Sequence, residues 1–235
     1  MSLPVLNTSK YEMEIPSSGE KVEYRPFLVK EQKHLMIAQE SGDQKQIVST
    51  IFDVIKTCTF GIISNPEVLP TFDLEYMFLM IRSKSVGSEI KVNLLCPDDE
   101  KTRVETIINV DDVNVMRTEG HTNEIMLTDD VGVVMKYPTM GMVADFGKDD
   151  AKVTQLTFDV LENSIQSIFD KEQVYDDMNK KELTEFIESM NTEQFDKIQN
   201  FFDTMPRLRH DVKITNPNTG VESEVKIEGL QSFLG

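Results

Sequence analysis

The sequence predicts an α+β fold, and three patterns support this prediction. Apolar and polar residues alternate in short runs within the first 24 residues, between residues 90 and 133, and near the C-terminus. This alternation has the period of half-buried strands. Apolar residues at helical spacing fill most of residues 30–81 and 153–205. The expected architecture is an N-terminal hairpin with helices, a middle antiparallel β section, and a helical C-terminal part that ends in a hairpin.

The N-terminal hairpin is predicted from residues 11–24. Residues 11–15 alternate strictly, residues 16–19 (Pro-Ser-Ser-Gly) form a turn, and Val22 and Tyr24 resume the alternation. A helix then begins at Lys30 and is ended by Ser41-Gly42-Asp43.

Two further helices are expected in this half. Residues 47–58 carry apolar side chains at helical spacing, and residues 72–81 are apolar on most sides. Thr71 is predicted to be the N-cap of the second of these helices. Because this helix has so little polar surface, we expect it to be the most buried helix of the N-terminal half.

The middle β section consists of two predicted strand pairs. Residues 90–94 and 104–110 alternate on either side of the turn Cys96-Pro97-Asp98-Asp99, and residues 125–127 and 131–133 flank Asp129-Asp130. A later hairpin, residues 212–227, turns at Asn216-Pro217-Asn218-Thr219-Gly220. The first and last of these hairpins resemble each other. They are either a repeated β-knuckle or two hairpins with common turn chemistry, and we favour the second interpretation.

The C-terminal part is predicted to be helical up to Pro206. Val153, Leu156, Val160, Ile165 and Ile168 share one helix face, and two capping boxes follow, at Asn179 with Glu182 and at Asn191 with Gln194. A domain boundary is expected near Gly147-Lys148-Asp149-Asp150, which divides the chain into residues 1–147 and 148–235. The alternative is one continuous domain, with the last hairpin joining the middle sheet.

Charge and composition exclude several classes of function. The formal net charge of -17 repels phosphate backbones, so we expect no nucleic acid partner and favour basic protein partners. Two distant cysteines, no signal-peptide pattern and no long apolar run predict a soluble protein made in a reducing cytoplasm, without a membrane partner.

No constellation of residues predicts an enzyme. The three histidines, His34, His121 and His210, are far apart and lack neighbours at metal-ligand spacing. The sequence contains no glycine-rich phosphate loop, and Asp145-Phe146-Gly147 lacks the context of a kinase motif. The knuckle-like Cys96-Pro97 is followed by no second cysteine at the needed spacing. We therefore expect no catalytic residue, cofactor, metal or small-molecule substrate.

The remaining candidates are partner-binding residues. Leu230, Phe233 and Leu234 form an apolar tail that either folds back on the core of the chain or docks on a partner. Arg25 sits between alternating apolar residues and is therefore expected to point away from the N-terminal core. We hypothesise that Arg25 and Arg82, together with Lys84, orient part of the fold or a partner through carboxylate pairs. The alternative for all three is ordinary solvated charge.

Several segments, in their order and spacing, resemble the T-even-type bacteriophage baseplate protein family. The likeness covers nearly the whole chain and is weakest between about residues 98 and 130. The segments that carry it are residues 15–19, 22, 24–31, 35, 41–43, 72–76, 82–87, 137–139, 194–206 and 228–234.

This resemblance implies a protein of baseplate hub assembly that acts through contacts with other hub or tail proteins and has no enzymatic residues. The family includes a hub subunit, which is a virion protein, and a hub assembly catalyst, which promotes association. A non-virion assembly chaperone is therefore the alternative role. An acidic decoy of nucleic-acid-binding surfaces is a remote one. The implied location is the cytoplasm of the infected bacterium or the tail baseplate of the virion.

Overall fold

The computed structural model describes residues 6–143 and 153–233 of the 235-residue chain. These described residues form seven α-helices and eleven strands, and all of their strand pairs are antiparallel. The predicted α+β class is therefore confirmed. Within these two ranges, no helix is both long enough and apolar enough to cross a membrane.

The chain groups into two compact units. Unit 1 combines the residues up to Met116 with those from Arg207 onward, and unit 2 comprises Arg117–Pro206. This grouping differs from the division expected at residue 147, which lies outside the described residues. The physical reason is that the final hairpin pairs with a strand before residue 117, so the two ends of the chain share one unit.

The N-terminal part of unit 1 contains one hairpin and three long helices, as predicted. Strands β1 (Tyr11–Glu14) and β2 (Lys21–Tyr24) precede α1 (Val29–Ser41), α2 (Gln44–Cys58) and α3 (Thr71–Val86).

Helix α3 is the most buried of the three, as its composition predicts. Leu74, Met77, Leu79 and Ile81 are all fully buried. The predicted cap is wrong by one residue, because Thr71 is the first helical residue and Pro70 holds the N-cap position without a side-chain bond. Proline suits the entry to a helix, since it has no N–H to leave unpaired.

The rest of unit 1 is built from two hairpins. Strand β3 (Glu89–Leu95) pairs with β4 (Arg103–Asn109). Strand β5 (Asn114–Met116) lies at the edge of a three-stranded sheet that continues with β10 (Arg207–Thr215) and β11 (Glu222–Glu228).

Unit 2 consists of four helices and a four-stranded sheet. Its strands, in spatial order, are β6 (Glu124–Met126), β7 (Gly132–Met135), β8 (Ile165–Phe169) and β9 (Val174–Tyr175). Its helices are α4 (Met140–Val143), α5 (Val153–Ser164), α6 (Lys180–Glu188) and α7 (Thr192–Thr204). Both predicted capping boxes are present at the starts of α6 and α7.

One element of unit 2 differs from the sequence prediction. The helix face predicted to run through Ile165 and Ile168 ends at Ser164, and both isoleucines belong to β8. Both are β-branched, and their pairing with β7 buries them in the core of unit 2. Tertiary pairing therefore overrides the helical spacing at this point.

Candidate interaction surfaces

Arg25 links three elements of unit 1 from an inward position. Its Nη2 lies 3.1 Å from Glu31 Oε1, and the two side chains are only 11% and 9% exposed. Its Nη1 donates to the carbonyl oxygen of Pro26 at 2.9 Å, and its backbone N–H donates to the Cys58 carbonyl at the end of α2. The expectation that this charge points away from the core is wrong. The hypothesised carboxylate pair is present, but its partner belongs to the same chain.

The carboxylate of Glu31 has two structural tasks at the start of α1. Burial alone would raise its pKa, but the Leu28 N–H, which donates at 2.8 Å, and the Arg25 guanidinium hold the pKa below the ordinary value. Glu31 therefore satisfies an unpaired donor of the helix N-terminus and also compensates the buried arginine. Burial raises the pKa of the nearby Cys58 thiol to about 11, so the thiol is protonated at neutral pH.

Helix α1 presents apolar side chains to solvent on its outer face. Val29 is 81% exposed, Met36 55% and Ile37 46%, whereas Ala38 on the inner face is buried. Positions i, i+7 and i+8 lie on one side of a helix, which we call the α1 face. Val29 lies in its first turn and Met36 and Ile37 lie two turns later, with Gln32 and Lys33 on the turn between them. The exposed Lys33 therefore lies within the α1 face, and the exposed Lys30 directly follows Val29. The α1 face is thus apolar and locally basic on a strongly acidic chain.

The C-terminal tail folds back on unit 1. Leu230 is 4% exposed and Phe233 is fully buried, in a short 3₁₀ turn that packs against α3, β3 and β11. The backbone N–H of Leu230 donates to the carboxylate of Glu75 on α3 at 3.0 Å. Leu234 lies outside the described residues. A partner-binding role for these tail residues remains a prediction, and for Leu230 and Phe233 it would require the tail to leave this position.

The tail contact gives a pH-dependent prediction for Glu75. Burial raises the pKa of this carboxyl to about 7, although the Leu230 N–H lowers it. Because the folded-state pKa of Glu75 is above its unfolded-state value, the protonated carboxyl contributes stability that is complete below the unfolded pKa of about 4.5. This contribution is lost as the pH rises through about 7. Glu75→Gln keeps an acceptor for Leu230 and removes the titration. We expect Glu75→Gln to gain on the order of 2 kcal/mol relative to wild type between pH 5 and pH 8.

Urea unfolding of wild type and Glu75→Gln between pH 5 and pH 8 measures the difference in their free energies of unfolding. Glu67→Gln, at an exposed carboxylate, is the matched control and should show the same difference from wild type at every pH. A difference between Glu75→Gln and wild type that does not change with pH would contradict the assigned titration.

The other two cations of the partner-binding hypothesis make fewer or weaker contacts than Arg25. Arg82 on α3 is half-buried, and its Nη1 has no hydrogen-bond partner among the described residues. Burial also lowers the pKa of Arg82. Lys84 lies 3.6 Å from Asp111 and has its Nζ 5.9 Å from the centre of the Tyr11 ring. Lys84 therefore makes a partly exposed ion pair of small energetic weight, and the partner-binding role of Arg82 remains a prediction.

Unit 2 contains an open cleft of about 720 Å³ between the β6 strand and α7. His121 lies at its aromatic wall, with Nδ1 2.9 Å from Thr204 Oγ1 and Nε2 3.1 Å from the Tyr137 hydroxyl. Its ring packs 5.1 Å from that of Phe201, and burial lowers the pKa of His121. Both ring nitrogens of His121 thus have hydroxyl partners. The rim of the cleft is mostly acidic, with Glu119, Glu124, Glu193 and Asp196 and one cation, Lys197.

Sequence reasoning missed the α1 face and the tail contact of Glu75. The signal for the first was present, because α1 has apolar residues on opposite sides and hence no single buried stripe. The contact between Glu75 and Leu230 joins residues 155 positions apart and had no local signal.

A comparison with protein families supports the resemblance seen in the sequence. The chain matches the family described as T4 bacteriophage base plate protein over residues 8–235, which is nearly its whole length. Neither the comparison with curated proteins nor the comparison with solved structures gives a significant match. The family assignment therefore depends on the whole-chain family match.

Proposed function

Because the chain belongs to the T4 bacteriophage base plate protein family, we propose that it acts in assembly of the baseplate hub. In this proposal it works through contacts with other hub or tail proteins and catalyses no chemical reaction. The observation that carries the proposal is the α1 face, where three large apolar side chains are 46–81% exposed. Exposed apolar groups gathered on one helix face favour a protein contact, whereas isolated ones need no explanation.

The electrostatics of the α1 face favour a particular kind of partner. Lys33 lies between the apolar side chains of the α1 face and Lys30 lies next to Val29, although the chain as a whole carries a formal charge of -17. A partner surface that is apolar and flanked by carboxylates would bury Val29, Met36 and Ile37 and pair with both lysines. We propose that this partner is another baseplate protein and that α1 lies along it.

The structural contacts of three residues with shifted pKa values support a non-catalytic role. Glu31 caps α1 and pairs with Arg25, Glu75 holds the tail, and the Cys58 thiol is packed in the core. Each shifted pKa in this set has a structural cause, so none of these shifts calls for a catalytic role.

We expect the triple variant Val29→Gln, Met36→Gln, Ile37→Gln to fold normally and to lose its partner. Glutamine is a good helix former and removes the apolar contact, so stability should change little while binding weakens by about tenfold or more. The measurement is quantitative mass spectrometry of baseplate proteins that co-purify with the tagged chain from infected cells.

The matched control places the same three changes at scattered exposed apolar positions. Val68, Ile107 and Val174 are 64%, 57% and 63% exposed and lie on different elements. The control variant should co-purify the same baseplate proteins as wild type. Equal losses in both triple variants would show that general surface hydrophobicity, and not the α1 face, determines binding.

Mass spectrometry of purified virions and of infected-cell lysate separates the two forms of the proposed role. A hub subunit will be present in virions at a copy number that fits the symmetry of the tail. A non-virion assembly chaperone will be abundant in lysate and missing from virions. In either case the α1 face provides the contact.

A further inference from the structure

Two turns of unit 1 have the same backbone construction. One joins β3 to β4 at Cys96-Pro97-Asp98-Asp99-Glu100, and the other joins β10 to β11 at Asn216-Pro217-Asn218-Thr219-Gly220. In each turn the fifth residue has a positive φ, 53° at Glu100 and 73° at Gly220. Its N–H donates to the carbonyl of the first residue, at 3.0 Å in one turn and 2.8 Å in the other. The likeness seen in the sequence therefore extends to the backbone conformation.

The two turns are joined directly by their side chains. Asn216 Nδ2 donates to both carboxylate oxygens of Asp98 at 3.0 Å, and Thr219 Oγ1 donates to Asp98 Oδ2 at 2.6 Å. Asn218 Nδ2 donates to Thr102 Oγ1 at 2.9 Å. These bonds connect residues 116–121 positions apart in the sequence. The tips of the two hairpins are thus held face to face.

The first residue of each turn points inward. Cys96 and Asn216 are each only 1% exposed. The side-chain oxygen of Asn216 accepts the backbone N–H of Asn218 at 2.9 Å, two residues further on. In a metal knuckle, the sulfur atom of the first ligand would accept a hydrogen bond from the corresponding N–H.

The spacing within the turns is that of zinc ligands. A zinc knuckle supplies its ligands from the first and fourth positions of a short turn, in the pattern C-x₂-C, and two such turns complete a tetrahedral site. The corresponding positions here are Cys96 and Asp99 in one turn and Asn216 and Thr219 in the other. One of the four residues is a thiol.

We propose that the paired turns have the construction of a two-knuckle zinc site. In place of a metal ion, side-chain hydrogen bonds centred on Asp98 hold the two turns together. The Thr219 hydroxyl and the Asn216 amide lower the pKa of Asp98, so its carboxylate is charged at neutral pH and is a strong acceptor. Within the first turn, Asp99 accepts the backbone N–H groups of Lys101 and Thr102. This arrangement clasps the hairpin β3–β4 to the hairpin β10–β11.

The first test restores thiolates at the ligand positions. The triple variant Asp99→Cys, Asn216→Cys, Thr219→Cys, with the native Cys96, should bind one Co²⁺ or Zn²⁺ per chain in reducing buffer at micromolar protein concentrations, on the order expected of structural zinc sites. Cobalt should give the absorption of a tetrahedral thiolate site, and either metal should raise the melting temperature until a chelator is added.

Two controls make this result specific. Adding Cys96→Ser to the triple variant should weaken metal binding by about tenfold or more, because one of four ligands is lost. Cysteines at Glu100, Asn218 and Val221, which are neighbours outside the ligand positions, should give no stoichiometric tetrahedral site. A folded triple variant that binds no metal would overturn the proposal, as would equal binding by the displaced cysteines.

A second measurement applies to the chain without added cysteines. Asp98→Ala lies in the first turn, but it should accelerate exchange of the backbone N–H groups of residues 216 and 218–221 in the second turn by about tenfold, because it removes three of the four side-chain hydrogen bonds that join the turns. Lys101→Ala, at an exposed side chain that directly follows the first turn, should leave residues 216 and 218–221 as protected as in wild type. Unchanged protection of these residues in Asp98→Ala would show that the hydrogen bonds of Asp98 do not hold the two turns together.

Discussion

Phe233→Ala is expected to destabilise unit 1 by about 3–5 kcal/mol, because it removes a fully buried aromatic side chain and leaves a cavity. Phe233 belongs to the tail turn that packs against α3, β3 and β11, so the cavity would open where the tail meets the rest of unit 1. Urea unfolding followed by circular dichroism measures this loss.

Phe60→Ala is the matched control for this substitution. The same atoms are removed from a side chain that is 47% exposed, so we expect a change of less than about 1 kcal/mol. Similar, small effects of both substitutions would mean that the tail contributes no stability from its docked position. The tail would then be free to bind elsewhere.

Arg25→Met is expected to destabilise the fold by about 3 kcal/mol at neutral pH, because it leaves Glu31 buried without its cation. Methionine has a similar length and is apolar, so packing should be largely kept. The loss should become smaller at acidic pH. The pKa of Glu31 is lowered in the fold, so the stabilisation from its charged form is present above its unfolded pKa and disappears as the pH falls through the folded pKa.

Two further variants test the explanation for Arg25. Arg25→Met combined with Glu31→Gln should recover much of the loss, because the glutamine oxygen still accepts the Leu28 N–H and no buried charge remains. Lys10→Met, in an ion pair with Glu23 whose side chains are 59% and 55% exposed, should change stability by less than about 0.5 kcal/mol. If the double variant were as unstable as the single one, the uncompensated charge would not be the cause.

The elements that could be predicted from the sequence are those with local signals. The burial of α3 follows from apolar side chains on most of its sides, and the capping boxes of α6 and α7 follow from Asn179 and Asn191 with their acceptors three residues on. Residues 165–169 had an ambiguous period, and pairing with β7 decided in favour of a strand.

The position of Arg25 illustrates why a local pattern can mislead. Its predicted direction assumed that the alternation of the hairpin continues, but β2 ends at Tyr24 and Pro26 follows. Beyond the end of a strand, alternation no longer determines which face a side chain occupies. Glu31, six residues later, then determines where the guanidinium lies.

The contacts that could not be predicted join distant parts of the chain. The apolar composition of the tail is compatible with docking either on the core of the chain or on a partner. The sequence does not distinguish these alternatives, because the acceptor on Glu75 lies 155 residues away. The bonds between the two knuckle-like turns likewise depend on how unit 1 folds. By contrast, the α1 face needs only the helical spacing of Val29, Met36 and Ile37 once the helix boundaries are known.

The most direct test of the central claim is genetic complementation of a phage that lacks this chain, with complete baseplates counted by electron microscopy. We predict that the α1-face variant, Val29→Gln, Met36→Gln, Ile37→Gln, accumulates as a folded protein but yields few complete baseplates. The control variant at Val68, Ile107 and Val174 should restore the wild-type number. A normal number of baseplates with the α1-face variant would contradict the proposal that α1 provides the assembly contact.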